Sequence, residues 1–177
     1  MGRSTQIDTF SRFTQVSRET ITSLIKYENY LIKSNKTLNL IGKSTMNEIW
    51  IRHFLDSSQG IDFIDKNINT VIDLGSGAGF PGLIIAILAK DRKIRLKVKL
   101  IEKSPKKASF LSEVANYLNL NVEVLNINVF THTKKLEADV IVARAFKPLK
   151  IILQFLDKNT ENWKKVFLFL GKTGEDE

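Results

Sequence analysis

Val71-Ile72-Asp73-Leu74-Gly75-Ser76-Gly77-Ala78-Gly79-Phe80-Pro81-Gly82 runs directly into Leu83-Ile84-Ile85-Ala86-Ile87-Leu88-Ala89. An apolar strand enters a turn packed with glycine, and an apolar helix leaves it. An α/β protein brings its backbone against a nucleotide in this way. Glycine permits positive φ angles and removes the Cβ that would block a ligand. The helix N-terminus adds unpaired N–H groups beside the turn. Pro81 suits the first helical turn, where a missing N–H costs no bond.

The loop reads in two registers. Gly77-x-Gly79-x-x-Gly82 matches the dinucleotide fingerprint, a weak signal by itself. Asp73-x-Gly75-x-Gly77-x-Gly79 looks like motif I of the class I S-adenosylmethionine-dependent methyltransferases. That cofactor carries a cationic sulfonium and an ammonium group, so a carboxylate beside the loop helps. Asp73 is expected to supply that charge, directly or through water. The plainer alternative is an acid that only pairs with loop N–H groups. The next strand, Leu96-Lys97-Val98-Lys99-Leu100-Ile101, ends in Glu102. An acid at that strand tip can accept both ribose hydroxyls. Glu102 therefore indicates a nucleoside ligand without choosing between the two registers; its bland alternative is a solvated acid beside Lys103.

The 177 residues fit one domain with a real core. No apolar run approaches the ~20 residues that cross a bilayer. The start, Met1-Gly2-Arg3-Ser4-Thr5-Gln6, lacks the apolar stretch of a signal peptide. With no cysteine, disulfides and thiolate metal sites are excluded; His53 and His132 are too far apart to suggest a metal cluster. A cytoplasmic protein without bound metal is the simple expectation. The 27 Lys+Arg against 19 Asp+Glu leave a net charge of +8, which suits a polyanionic substrate. The wealth of Ile, Lys and Asn offers a competing explanation, a coding bias that inflates lysine.

Before the glycine strand the chain reads as helical. Residues 17–34 form one amphipathic helix carrying Leu24, Ile25 and Leu31, with Tyr27 and Tyr30 as packing aromatics. Asn35-Lys36-Thr37 reads as a turn and Leu38 to Gly42 as extended. A second helix, capped by Ser44 or Thr45, runs to about Ser57-Gly60. From Val71 onward strand and helix alternate, as a parallel sheet requires. Ser104 caps a helix with Pro105 at its first position. Strands follow at Asn121–Leu125, Ala138–Val142 and Val166–Leu170, with a helix opened by Pro148 and a stop at Gly171. The expected fold is α/β, a doubly wound, mostly parallel Rossmann-like sheet with cofactor at the carboxyl ends of the strands. Residues 1–66 form a helical extension packed on a 67–177 core.

Asn39-Leu40-Ile41, Arg52-His53-Phe54-Leu55-Asp56-Ser57, the loop ending Phe80-Pro81-Gly82, and Ala143-Arg144-Ala145-Phe146 occur in this order. The chain from about residue 24 to 170 thereby resembles the bacterial RsmG family, also called glucose-inhibited division protein B. The resemblance implies a class I methyltransferase using S-adenosylmethionine to methylate N7 of one guanine in the 530 loop of 16S ribosomal RNA. It also implies a cofactor pocket built from Asp73, Gly75, Ser76, Gly77, Gly79 and Phe80, with Glu102 on the ribose. Asn128 and Val129, after the third strand, join that pocket, and Arg144 sits where methyl donor and base meet. Asn39, Arg52, His53 and Asp56 match the family's N-terminal motifs. The implied partner is 16S ribosomal RNA or the small ribosomal subunit, met by a monomer with no membrane involvement.

Guanine N7 has a free lone pair and no proton, so methyl transfer needs no general base. Arg144 is expected to position the substrate through guanine O6 or a phosphate, since positive charge develops on the base. Its alternative is pairing with a local acid. His53 is expected to bond Asp56 or the backbone. Lys103, Lys106 and Lys107, then Lys33, Lys36 and Lys43, then Lys147 and Lys150, make a candidate RNA track, although each alone reads as an ordinary surface lysine.

The chain departs from the family pattern in three places. Asn128-Val129-Phe130 stands where an arginine is usual, so a charged contact is missing there. Gly171-Lys172 replaces Lys-Gly. Thr173-Gly174-Glu175-Asp176-Glu177 stands where a hairpin would complete the sheet, which leaves the fifth strand as an edge. Competing readings are a cofactor-binding, RNA-associated relative without turnover, a methyltransferase for another RNA site or a small molecule, and, weakest, a dinucleotide oxidoreductase.

Overall fold

The computed structural model describes residues 1–170. Two helices come first, α1 (Arg3–Thr14) and α2 (Arg18–Leu38). An irregular helical stretch follows: a 3₁₀ segment (Lys43–Glu48), a π turn (Trp50–Leu55), the short α3 (Asp56–Ser58) and a second 3₁₀ segment (Gln59–Phe63). The α/β part runs β1 (Thr70–Leu74), α4 (Gly82–Asp91), β2 (Lys97–Ile101), α5 (Pro105–Tyr117), β3 (Val122–Leu125), β4 (Leu136–Glu137), β5 (Val140–Arg144), α6 (Leu149–Asn159), β6 (Thr160–Glu161) and β7 (Lys165–Phe169).

Five strands form one parallel sheet in the order β3-β2-β1-β5-β7; β4 and β6 pair separately. The strand order reverses between β1 and β5, which opens a crevice at their carboxyl ends. Successive strand residues point to opposite faces. Val71, Val98, Leu100, Val140 and Val142 pack with α1, α2, α4 and α5 on one side. Ile72, Leu74, Ile101, Ile141 and Ala143 pack with Ile152, Phe155 and Leu156 of α6 on the other. Cover on both faces explains why these strands read as continuous apolar runs. Among the described residues β7 is a sheet edge. The Gly171 stop, Gly171-Lys172 and the tail lie outside them.

The N-terminal part departs from the sequence expectations. Helix α1 has no strong apolar stripe; Phe10, edge-on to Trp50 at 5.4 Å, and Gln6, donating to the Asn47 carbonyl at 2.7 Å, anchor it, with Arg3 paired to Glu28 at 2.6 Å. Ser17 caps α2 by accepting from the Thr20 N–H at 3.2 Å. The expected turn at Asn35-Lys36-Thr37 is helical. The Asn35 side chain acts further on, its Oδ1 accepting from the Leu40 and Ile41 N–H groups at 2.6 and 2.9 Å, and the chain turns at Asn39, with φ 48°.

The expected second helix is the irregular 43–63 stretch, and neither Ser44 nor Thr45 caps it. Its path follows the burial of Trp50 and Phe54, edge-on to each other at 5.1 Å and packed on Phe10 and Tyr27. Packing demands a widened turn there that helical periodicity does not disclose. Two smaller corrections concern caps. Pro81 occupies the N-cap of α4, one place earlier than expected. Ser104 stands at the N-cap of α5 without a side-chain cap bond; its own N–H donates to Glu102.

Candidate active site

A cavity of about 570 Å³ opens at the carboxyl ends of the central strands, large enough for a cofactor-sized ligand. Gly75, Ser76, Gly77, Phe80, Glu102, Asn128, Val129 and Arg144 line it; Asp73 and Gly79 do not. Lys103, Lys107 and Lys147 add positive charge to its wall.

The loop is wired to the strand beside it. Ser76 N–H donates to the Ile101 carbonyl at 2.9 Å. Glu102, almost fully buried, accepts from Gly77 N–H at 3.0 Å through Oε2 and from Ser104 N–H at 2.8 Å through Oε1. One carboxylate thus holds the glycine loop and the start of α5 together. Three glycines adopt positive φ, for different reasons. A Cβ on Gly79 would lie 2.4 Å from Leu83 Cδ1 and 2.7 Å from Tyr27 Oη, so that glycine serves packing. A Cβ on Gly77 would meet only the Gly75 carbonyl at 3.8 Å and otherwise enter open space.

Asp73 lies beneath the loop, fully buried. Its Oδ2 accepts from the Gly82 N–H at 3.0 Å, bracing the start of α4. Its Oδ1 has no partner among the described residues. Burial pushes its carboxyl up to about 7, against the pull of the Gly82 and Ser76 bonds. Asp73 thus braces the loop through Gly82 and does not line the cavity. Tyr27 secures the loop from the other side, its hydroxyl donating to the Ala78 carbonyl and its ring lying 5.8 Å from Phe80.

Arg144, the last residue of β5, reaches back to the N-terminal part. It donates to the Arg52 carbonyl at 2.6 Å and to His53 Nδ1 at 3.3 Å, and pairs with Asp56 at 3.1 Å. The pairing with a local acid is therefore the arrangement present. An arginine only donates, so His53 Nδ1 accepts and Nε2 carries the hydrogen. That hydrogen points to Thr45 Oγ1 at 2.9 Å, and Thr45 in turn donates to the Gly42 carbonyl at 3.0 Å. This chain takes the place of the bond to Asp56 or the backbone expected of His53, with Arg144 as the partner His53 and Asp56 share. Burial, with Arg144 and Arg52 nearby, lowers His53 to about 4. The neutral ring stacks on Phe80 at 4.9 Å and 11°. Burial also draws the Arg144 guanidinium below its ordinary value, while Asp56 pulls the other way.

Sequence reasoning missed three contributors. Tyr27 read as packing only, Thr45 as a helix cap, and Phe146 as part of a motif without a role. Phe146 fills the space at Gly75, where a Cβ would lie 2.4 Å from its ring. The spacing of these residues carries no signal, since each partner is distant in the chain.

The glycine loop, the acid at the β2 tip and the β3-β2-β1-β5-β7 order together define the class I methyltransferase fold. The solved structure of mitomycin 7-O-methyltransferase MmcR superposes with a TM-score of 0.55, at 15% identity, over 82% of this chain and 44% of that one. The family model of rRNA small subunit methyltransferase G, GidB, matches residues 20–177, and the chain belongs to that family. Ribosomal RNA small subunit methyltransferase G of Pelagibacter ubique is 44% identical over 162 residues, 90% of this chain and 76% of that protein. The proteins of the same name from Jannaschia and Rhodospirillum rubrum are 41% and 40% identical; the chain spans 65% and 70% of their lengths.

Proposed function

We propose that the chain transfers a methyl group from S-adenosylmethionine to N7 of a guanine in the 530 loop of 16S ribosomal RNA. The observation that carries this is the cavity at the strand switch point, walled by the glycine loop, Glu102 and three lysines, in a chain of the rRNA small subunit methyltransferase G family. The residues fit the cofactor. The open side of Gly77 offers a cradle that any side chain would fill, and Glu102, already anchored by two N–H groups, retains lone pairs for ribose hydroxyls. Gly75, Ser76, Gly77 and Phe80 would hold it on one side, Asn128 and Val129 on the other. When bound, the group supplies an electrophilic methyl on a sulfonium.

The chain's own task is alignment, which can contribute ~7–11 kcal/mol toward lowering the barrier. Guanine N7 carries no proton, so no side chain must remove one. His53 suits this: it is neutral, and both ring nitrogens are engaged. Arg144 acts as a positioning residue, keeping His53 and Phe80 in place at the cavity wall. The lysines at the rim hold phosphates. This reading places the protein in the bacterial cytoplasm, where its RNA is made. It treats residues 1–66 as part of one unit with the core, since Phe10, Tyr27 and Trp50 share a cluster with the sheet.

The test is incubation with labelled S-adenosylmethionine and small-subunit RNA lacking the methyl group. Label is expected in 7-methylguanosine, lost in Glu102→Ala and Arg144→Ala. Cofactor binding without label would favour a relative that has lost turnover and would overturn the assignment.

A further inference from the structure

A second cavity, about 360 Å³, lies between α2 and α5 and shares no residue with the first; Lys26, Asn29, Tyr30, Lys33 and Tyr117 line it. Lys26, Tyr30 and Lys33 recur at helical spacing and so present one face of α2. Tyr117 closes α5, about 18 Å along the helix axis from Pro105 at the cofactor end. Tyr117 is 60% exposed, with the Lys26 ammonium 5.7 Å from its ring centroid. Tyr30 is fixed: its hydroxyl donates to Glu113 and its ring lies 5.7 Å from that of Phe110. Glu113, the one acid beside the groove on α5, is engaged by Tyr30 and by Ser109 at 2.9 Å. Among the described residues neither Lys26 nor Lys33 is in a salt bridge.

We propose that this groove holds an unpaired nucleotide of the RNA substrate, its base stacked on Tyr117 and its phosphates between Lys26 and Lys33. The inference rests on the RNA-methyltransferase reading above. Exposed aromatics beside unpaired cations are the combination that binds single-stranded nucleic acid, since every base has a face to stack and every phosphate a charge to meet. A protein partner fits less well, because lysine is depleted in protein interfaces. The function also needs such a contact. Methyl transfer engages one base, and a single base does not set the register of a long RNA. Lys107, on the wall of the first cavity, and Lys106 beside it stand in the first turn of the same helix, so one strand can follow α5 from one site to the other.

The experiment measures binding of unmethylated 16S RNA to the full chain over a salt series, beside S-adenosylhomocysteine affinity as the control for folding. Tyr117→Ala is expected to weaken RNA binding at least about fivefold, the low end of base–aromatic stacking, and Tyr117→Trp to restore it. Lys26→Gln with Lys33→Gln should reduce the slope of log K against log salt by about 1.4, two single-strand phosphate contacts. Cofactor affinity should stay at the wild-type value in all three. RNA affinity equal to wild type in the variants would overturn the groove while leaving the methyltransferase reading intact. Unchanged affinity for naked RNA with loss only on the assembled subunit would assign the groove to a ribosomal protein and also overturn it. A wild-type chain that neither binds RNA nor methylates it would sink both.

Discussion

Arg144 at the end of β5 ion-pairs at 3.1 Å with Asp56 at the start of α3, tying the sheet to the irregular N-terminal stretch. The guanidinium is mostly buried, its side chain 19% exposed, and also serves the Arg52 carbonyl and His53. Arg144→Ala leaves three acceptors without a donor. It should destabilise the fold by about 2 kcal/mol in urea unfolding and abolish methyl transfer. Asp56→Ala, which spares the other two contacts, should cost less than half of that. Arg144→Lys should not rescue activity, because a single ammonium nitrogen cannot span partners that Arg144 reaches from two separate guanidinium nitrogens. Full activity in the lysine variant would refute the positioning role.

The loop glycines should separate under alanine substitution. Gly79→Ala drives a Cβ into Leu83 and Tyr27 at φ 100°, so the fold should lose about 3 kcal/mol from strain and overpacking. Gly77→Ala has room and should unfold with a loss of only about 1 kcal/mol. Its Cβ enters the cradle, so cofactor affinity should fall at least tenfold, read by calorimetry with S-adenosylhomocysteine. Loss of affinity in Gly79→Ala without loss of stability would invert this assignment.

Two buried groups should give opposite pH slopes. The raised Asp73 means that the folded chain holds a proton more readily than the unfolded one. Its stabilisation is full below the ordinary carboxylate value of 3.8 and is lost as pH rises through about 7. His53, lowered from 6.5 to about 4, works the other way, and stability is lost as pH falls through that window. The wild type should therefore vary little in stability between pH 4 and 6.5. Asp73→Asn, which keeps an acceptor for Gly82, should expose the rising His53 limb. His53→Gln should expose the falling Asp73 limb. Parallel profiles for the two variants in denaturant titrations would contradict both assignments.

Glu102 joins structure and binding. Glu102→Gln retains one acceptor, so it should hold part of the loop and fold with a thermal midpoint within a few degrees of wild type. It should still lose cofactor affinity about tenfold or more, because a neutral amide cannot accept two hydroxyls. Glu102→Ala should in addition lower the midpoint, since Gly77 and Ser104 N–H lose their acceptor. Equal cofactor affinity in wild type and Glu102→Gln would remove Glu102 from the ribose contact.

Much of the architecture was legible in local pattern. The apolar strand, glycine turn and apolar helix at 71–89 depend on residues within a few positions of one another, and so do the alternation of strands and helices and the acid at the β2 tip. Local sterics and periodicity therefore determine them, and the motif order was enough to indicate the family. The tertiary structure alone decided what those residues do for each other. Asp73 sits under the loop because α4 packs down on β1 and buries it, a consequence of sheet cover that spacing does not encode. The 43–63 stretch departs from a regular helix because Trp50 and Phe54 must reach Phe10 and Tyr27. Arg144 turns to Arg52, His53 and Asp56 because that stretch passes over the end of β5. Such contacts join residues far apart in the chain. Their geometry is set by how the two parts pack, a sum of many small burial energies that no short window of sequence contains.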